Sequence, residues 1–314
     1  MAKSKRTKSL LVGILKDKIS LLKATLRLTT PSLHVAVLRA TSHIPDHAPT
    51  LTLSNNAHLP TLLHALLHRV NHTSDAYVAL KSLLLIHHLI SRNPDSLGPT
   101  SGSPPLFARL STFRDQSDDD TWEISNWIRW YAAVLDQIIS LFSRKTKSLD
   151  MLIGVVESIC SSPDSLHYQK ISLIYEVIKL IGEDYRLIIR EIYAKVEELS
   201  TRIESFTDDS LDNFLDDLKR IENCKEKLLL MFLNKKKNDG FWELVEKVKG
   251  DVEGEKQRRE SMKIVEFQGS ESTRRNKNNR VERDESMALT VMPVPRVKRW
   301  LDVEWNTLVV STNA

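Results

Sequence analysis

Nine lysines and arginines stand against two aspartates in the first fifty residues: Lys3, Lys5, Arg6, Lys8, Lys16, Lys18, Lys23, Arg27 and Arg39. That segment carries +7 in a chain of net charge +4, so the remainder sums to −3. A basic end on a nearly neutral body suits an anionic surface, membrane or nucleic acid, or it stands as a solvated basic terminus. His43, His47 and His58 lie close by in sequence and gain charge below their unperturbed pKa of about 6.5. Binding is the chemistry this set of residues offers. There is no nucleophile–base pair, metal set or phosphate loop, so the chain reads as a non-enzyme without a cofactor. Nucleic acid is set aside as a partner, because no RNA or DNA module is present and no aromatic interleaves the basic run.

Other reactive side chains have plainer readings. His64, His68 and His72 step by four along one helix face, a spacing that can bind metal. No acidic or cysteine ligand lies near them in sequence, so they read as a surface or half-buried stripe. Of His87 and His88, in an apolar helix, one is expected to be a hydrogen-bonded core residue. Cys160 and Cys224 form no metal-ligand or CxxC spacing, which argues against a zinc site or a disulfide framework and makes a reducing compartment the default. Asp118, Asp119 and Asp120 fall at a helix start, where acids stabilise the N-terminus; the alternating spacing of a calcium loop is missing. Trp122, Trp127 and Trp130 are expected in core and groove packing. Lys235 to Lys237 suit a helix C-terminus.

The elements that must position these residues read as helices. Nine glycines, with abundant Leu, Ile, Lys and Glu, suit a helical chain. Residues 9–28 have helical period, with Leu11, Leu15, Ile19, Leu22 and Leu26 as an apolar stripe and Lys16, Lys23 and Arg27 opposite. Lys18 falls inside the apolar arc, so either it snorkels or the arc is not fully buried. Pro31 restarts a short helix that ends near Thr41. After a long loop, helices are expected over about 58–72, 76–92, 121–142 and 148–160. The 76–92 helix is apolar on nearly every side and should be central. Two helices meeting near Gly182 are expected over 167–206, one long helix over 208–234, and a short one at 240–250. Residues 94–118 read as loop.

No apolar run approaches the roughly 18 residues of a membrane span. The N-terminal apolar stretch is broken by Gly13, Lys16, Asp17 and Lys18 and lacks a small-residue cleavage site, and Ala2 excludes myristoylation. The chain reads as soluble and cytosolic. Residues 1–250 are expected to form one helical domain. Residues 251–314 are expected to be a mostly disordered charged tail with a short apolar C-terminal segment.

The stretches LKATLRLTTPSLHVAVLRATSH, HLPTLLHAL, YVALKSLLLIHHLISR and WIRWYAAVLDQ, in this order and spacing, resemble the ANTH family of clathrin assembly proteins, particularly its plant branch. QKISLIYEVIKLIGEDYRLIIREI resembles the family's later helices, and the likeness runs over roughly residues 9–250. The resemblance implies an all-α superhelical solenoid of about nine or ten helices, related to ENTH and VHS domains. It implies a non-enzymatic adaptor that binds phosphoinositides and recruits clathrin and coat adaptors; some members also bind SNARE helices. The implied location is the cytosolic face of plasma-membrane coated pits, clathrin-coated vesicles and the Golgi.

The family's lipid motif is a Lys-Ala-Thr-x-His segment followed by a lysine cluster ending in His or Tyr. Arg39-Ala40-Thr41-Ser42-His43 is similar to the first half, with Arg39 in place of the lysine. His58-Leu59 resembles the end of the second half, but Asn55, Asn56 and Ala57 stand where its lysines belong. By this resemblance Arg39, His43 and His58 contact anionic lipid, with Lys16, Lys23 and Arg27 substituting in part for the lost cluster. Each cation near an anionic surface contributes about 1 kcal/mol, so losing two or three weakens binding roughly 10- to 100-fold. Delocalised, salt-sensitive, mildly acid-favoured binding follows. The alternative is a helical interaction scaffold of the same fold with weak or non-selective lipid binding. It draws on the tail, which lacks Asp-Leu-Leu, Asn-Pro-Phe, Asp-Pro-Phe and a clear clathrin box.

Overall fold

A computed structural model describes residues 12–20, 22, 31–44, 59–92, 105–164, 171–232 and 239–272. Among these residues there is no strand. The helices are α1 (12–20), α2 (Pro31–Ala40), α3 (Leu59–His72), α4 (Ala76–Arg92), α5 (Asp119–Phe142), α6 (Leu149–Cys160), α7 (Ser172–Ser200), α8 (Asp208–Asn223), α9 (Lys225–Met231) and α10 (Asp239–Ser272). Residues through Met262 form one compact unit; Lys263–Ala314 form a second, of which 263–272 are described, as helix.

Successive helices pack on one another from α2 to α7, α4 also meets α7, and α6 meets α8. The α4 helix is buried on nearly every side, as a helix apolar all round should be. At the start of α5, Asp118 accepts from the Thr121 N–H at 2.8 Å and the Thr121 hydroxyl accepts from the Asp118 N–H at 3.1 Å, a closed capping box. Asp119 and Asp120 fill the first turn, as expected of acids at the positive helix end. The stripe Ile124, Trp127, Tyr131, Val134, Leu135 and Ile138 is buried against the core. Trp130 joins it and donates to the Ser158 carbonyl at 2.9 Å. Trp122 does not: its ring is exposed, with the Arg114 guanidinium 5.7 Å above it.

Three helix bounds differ from the sequence reading. No joint exists at Gly182, because α7 runs unbroken through it. A side chain at Gly182 would come within 3.2 Å of the Phe232 ring, which stacks on Tyr185 with centroids 4.8 Å apart. The glycine is there for close approach, not for a bend. The long helix expected over 208–234 breaks at Cys224, whose N–H turns to the Ile221 carbonyl, a tightened terminal turn. The short helix expected at 240–250 continues to Ser272. Val245, Val248 and Val252 bury one face of it, and its charges are paired: Lys249 with Glu222, Lys256 with Asp212, and Arg258 and Arg259 with Glu255. Arg259 also donates to the carbonyls of Phe206 and Glu204. Within the expected 94–118 loop, residues 108–112 form a 3-10 turn, and Phe107 and Leu110 are buried beneath it. No described helix is long and apolar enough to cross a membrane.

Candidate lipid-facing corner

The corner is built from the ends of four helices. The end of α2 and the four residues after it enter a polar network that α1, α3 and α4 supply. Thr41 is fully buried; its hydroxyl donates to the Val37 carbonyl at 2.7 Å and accepts from Arg69 Nε of α3 at 2.7 Å. Arg69 also donates to the Thr41 carbonyl at 3.0 Å. Lys81 of α4, completely buried, donates to the Ser42 carbonyl at 3.1 Å and to the Ile44 carbonyl. Carbonyls past a helix end have lost their intrahelical donors, and a buried ammonium satisfies them.

His43 is the keystone of α1's attachment. Its backbone N–H donates to Asp17 Oδ2 at 2.8 Å and its ring Nδ1 lies 2.6 Å from Asp17 Oδ1. Its Nε2 faces Asp75 Oδ2 at 3.9 Å, and Arg69 approaches Asp17 at 3.6 Å. Burial alone would raise the Asp17 carboxyl, but the hydrogen bonds from the His43 ring and backbone, with the nearby charges of His43 and Arg69, bring it below the usual aspartate value. Burial pushes Asp75 the other way, upward, against the hydrogen bond from the Val78 N–H. Gly13 lies against the same ring: a methyl group there would sit 2.9 Å from His43 Cβ.

The α1 helix therefore docks through Gly13 and Asp17, and of the two outcomes that Lys18 allowed, the arc left unburied is the one found. Its apolar stripe faces out, with Val12, Leu15, Ile19 and Leu22 between 46% and 63% exposed. At about 100° per residue, Lys16 and Lys18 flank the stripe on either side, so Lys16 is not opposite it and Lys18 is at its edge. Both lysines are exposed, so Lys18 has no buried arc to escape.

Of the sequence-derived contact residues, Arg39 is exposed near the end of α2 and Lys16 is exposed on α1. His43 points inward, with both ring nitrogens toward carboxylates. Lys23, Arg27 and His58 lie outside the described residues, as do His47 and Lys235 to Lys237. Sequence reasoning missed Asp17, Arg69, Asp75 and Lys81. A visible signal existed for Lys81, a single charge inside the apolar run YVALKSLLLI. Asp17 carried a weaker one, an acid among lysines. Elsewhere, His64, His68 and His72 are exposed on α3, with His68 and His72 stacked at 4.2 Å. His87 is the hydrogen-bonded core histidine.

Asp17→Asn keeps the side-chain shape and removes the charge, so α1 should loosen while the body stays folded. Lowering pH should act the same way. A carboxyl whose pKa is depressed on folding holds its partner fully above its unfolded value, near 3.8, and releases it as pH falls through the lower folded value. Limited proteolysis should cut within 12–20 faster in the variant at neutral pH, with the cleavage rate of the helical body unchanged. Equal rates in the two proteins would show that Asp17 does not hold the helix.

The sequence is similar to known proteins. The family model described as "ANTH domain" matches residues 32–152, from α2 into α6. A relative in Arabidopsis thaliana, named "Putative clathrin assembly protein At4g40080", is 33% identical over 298 residues, 77% of this chain and 80% of the relative. A second from that plant, of the same designation with the locus At5g10410, is 35% identical over 144 residues, 42% of either chain. A third, "Probable clathrin assembly protein At4g32285", is 29% identical over 156 residues, 44% of this chain and 24% of the relative.

Proposed function

The chain belongs to the ANTH domain family, and from that membership we propose that it is a non-enzymatic clathrin adaptor that meets anionic membrane through α1 and the corner beside it. The observation that carries the membrane contact is the outward apolar stripe of α1 flanked by Lys16 and Lys18. A helix with one apolar face, bordered by lysines, lies in the plane of a bilayer interface, its apolar side among acyl chains and its cations at anionic headgroups. Arg39 adds a planar fork suited to phosphate. In this reading phosphoinositides and other anionic lipids are bound by a spread of charge that includes Lys23, Arg27 and His58. His43 acts from within, by holding α1 in place.

The names of the relatives support clathrin as a partner. Coat adaptors and SNARE helices complete the proposed set, at endocytic coated pits, clathrin-coated vesicles and the Golgi. Residues through Met262 serve as the membrane-facing body, twelve residues longer than in the sequence reading, and those beyond as a charged tail with an apolar C-terminal segment; α10 carries the start of that tail as helix.

Liposome co-sedimentation of the full chain tests the reading. Vesicles of neutral lipid, of phosphatidylserine, and with phosphatidylinositol 4,5-bisphosphate are compared at low and high salt. Pelleting with both anionic vesicles, weakened by salt, is expected. Leu15→Glu with Ile19→Glu should reduce it at least tenfold, since two buried aliphatic side chains contribute about 1.5 kcal/mol or more each. Selective phosphoinositide binding that Arg39→Glu alone abolishes would replace this picture with headgroup recognition at one site. An absence of pelleting at either salt would leave the interaction scaffold as the function.

A further inference from the structure

The chain has two cysteines, and the fold brings them together from 64 residues apart. Cys160 ends α6, and Cys224 is the residue at which α8 gives way to α9. The Cys160 Sγ lies 3.7 Å from the Cys224 carbonyl oxygen. The two side chains influence one another, which raises Cys160 and lowers Cys224 from the ordinary thiol range. Lys227 adds positive charge near Cys160, and Arg220 adds it near Cys224. Arg220 is held there by Glu157 and Asp150 of α6, so the same junction is already bridged by ion pairs. Cys160 is half-buried and Cys224 buried, so a small oxidant has a route by way of Cys160.

We propose that Cys160 and Cys224 form a reversible intramolecular disulfide on exposure to hydrogen peroxide, a redox modification site joining the end of α6 to the α8–α9 junction. The Cys224 thiolate attacks one peroxide oxygen, the O–O bond breaks, and the departing hydroxide takes a proton to become water. The Cys160 sulfur then attacks the resulting Cys224 sulfenic sulfur. The S–O bond breaks, and the Cys160 proton leaves with the hydroxide as a second water. Two thiols lose two electrons in all, and one peroxide is reduced to two waters. Two features favour this over a pair of inert packing thiols. One is the contact that holds the Cys160 sulfur against residue 224; the other is the lowered Cys224, because the thiolate is the reactive form. In a reducing compartment a bond of this kind is transient, as redox-sensing disulfides are.

The full chain, purified with reductant and then freed of it, is treated with hydrogen peroxide. It is then alkylated under denaturing conditions, and its peptides are weighed. Both thiols should disappear together, leaving the Cys160 and Cys224 peptides linked and lighter by two hydrogens, within a monomer and reversed by dithiothreitol. The oxidised chain should melt on the order of 5 °C higher, because the bond closes a long loop. In Cys160→Ser, Cys224 should stop at the sulfenic acid and be trapped by dimedone. Two alkylatable thiols after excess peroxide, or a link only between chains, would overturn the proposal.

Discussion

Lys81→Met is expected to destabilise the folded chain by about 3 kcal/mol. Methionine fills most of the space of the lysine stem, so little of this comes from a cavity. The loss arises because the fully buried ammonium position is fixed by the Ser42 and Ile44 carbonyls, and without it the half-buried Ser42 carbonyl loses its donor while the exposed Ile44 end comes free. A buried acceptor with no donor costs about 1–3 kcal/mol. For a body of this size the melting temperature should fall by roughly 6–12 °C. The damage should be local as well as global. Residues 42–44 include His43, which holds Asp17, so freeing them should also free α1. Lys81→Met and Asp17→Asn should therefore couple in a double-mutant cycle, the pair costing less than the two single changes added. An unchanged melting temperature in Lys81→Met would mean that the buried ammonium is not what holds the corner.

The other large effect lies in the core. His87 of α4 bridges two helices: Nε2 is 2.7 Å from Asp184 Oδ2 of α7, and Nδ1 is 2.8 Å from the Tyr131 hydroxyl of α5. Nε2 pairs with the carboxylate and Nδ1 with the tyrosine hydroxyl, so both ring nitrogens are engaged. Burial, with the Asp184 carboxylate beside it, holds the Tyr131 hydroxyl well above its usual range, so it keeps the proton it donates. His87→Leu strands a carboxylate and a hydroxyl in the interior, and the expected loss is about 3–5 kcal/mol. Adding Asp184→Leu should recover part of that loss, because removing the stranded charge removes its desolvation penalty. Chemical denaturation of both variants checks this through the midpoint. A double variant weaker than His87→Leu by the full cost of a second core substitution would contradict the account.

What could be read from the sequence was mostly local. Pro31 and the apolar period set α2, α3 and α4 close to where they stand, and the Asp118 to Asp120 run marked the start of α5. The misses share one cause, a partner far along the chain. Gly182 looked like a joint because Phe232, the reason for the glycine, is fifty residues away. The burial of the α1 stripe stayed open because period alone cannot say which face a body accepts. That choice rests on Asp17 meeting His43, 26 residues on. For the same reason Arg39 was legible as an exposed cation while the inward role of His43 was not. The charged stretch after residue 251 looked like tail because its helix is held by an ion pair to Asp212 and by hydrogen bonds to the carbonyls of Glu204 and Phe206, which composition does not display.

Neighbouring residues of α7 reach in two directions. Asp184 meets His87 of α4, and Tyr185 stacks on Phe232 just beyond α9. At 1.5 Å per residue the 29-residue helix is about 43 Å long. Early and late helices thus share one rod at adjacent positions, and the His87–Asp184 contact closes 97 residues of chain. Local helix pairs can form quickly, but a closure of that span waits until much of the chain is already compact. The joint at α7 is then a late event in folding, and once made it leaves no seam between the halves. The body should melt as one cooperative block, not as a string of independent hairpins.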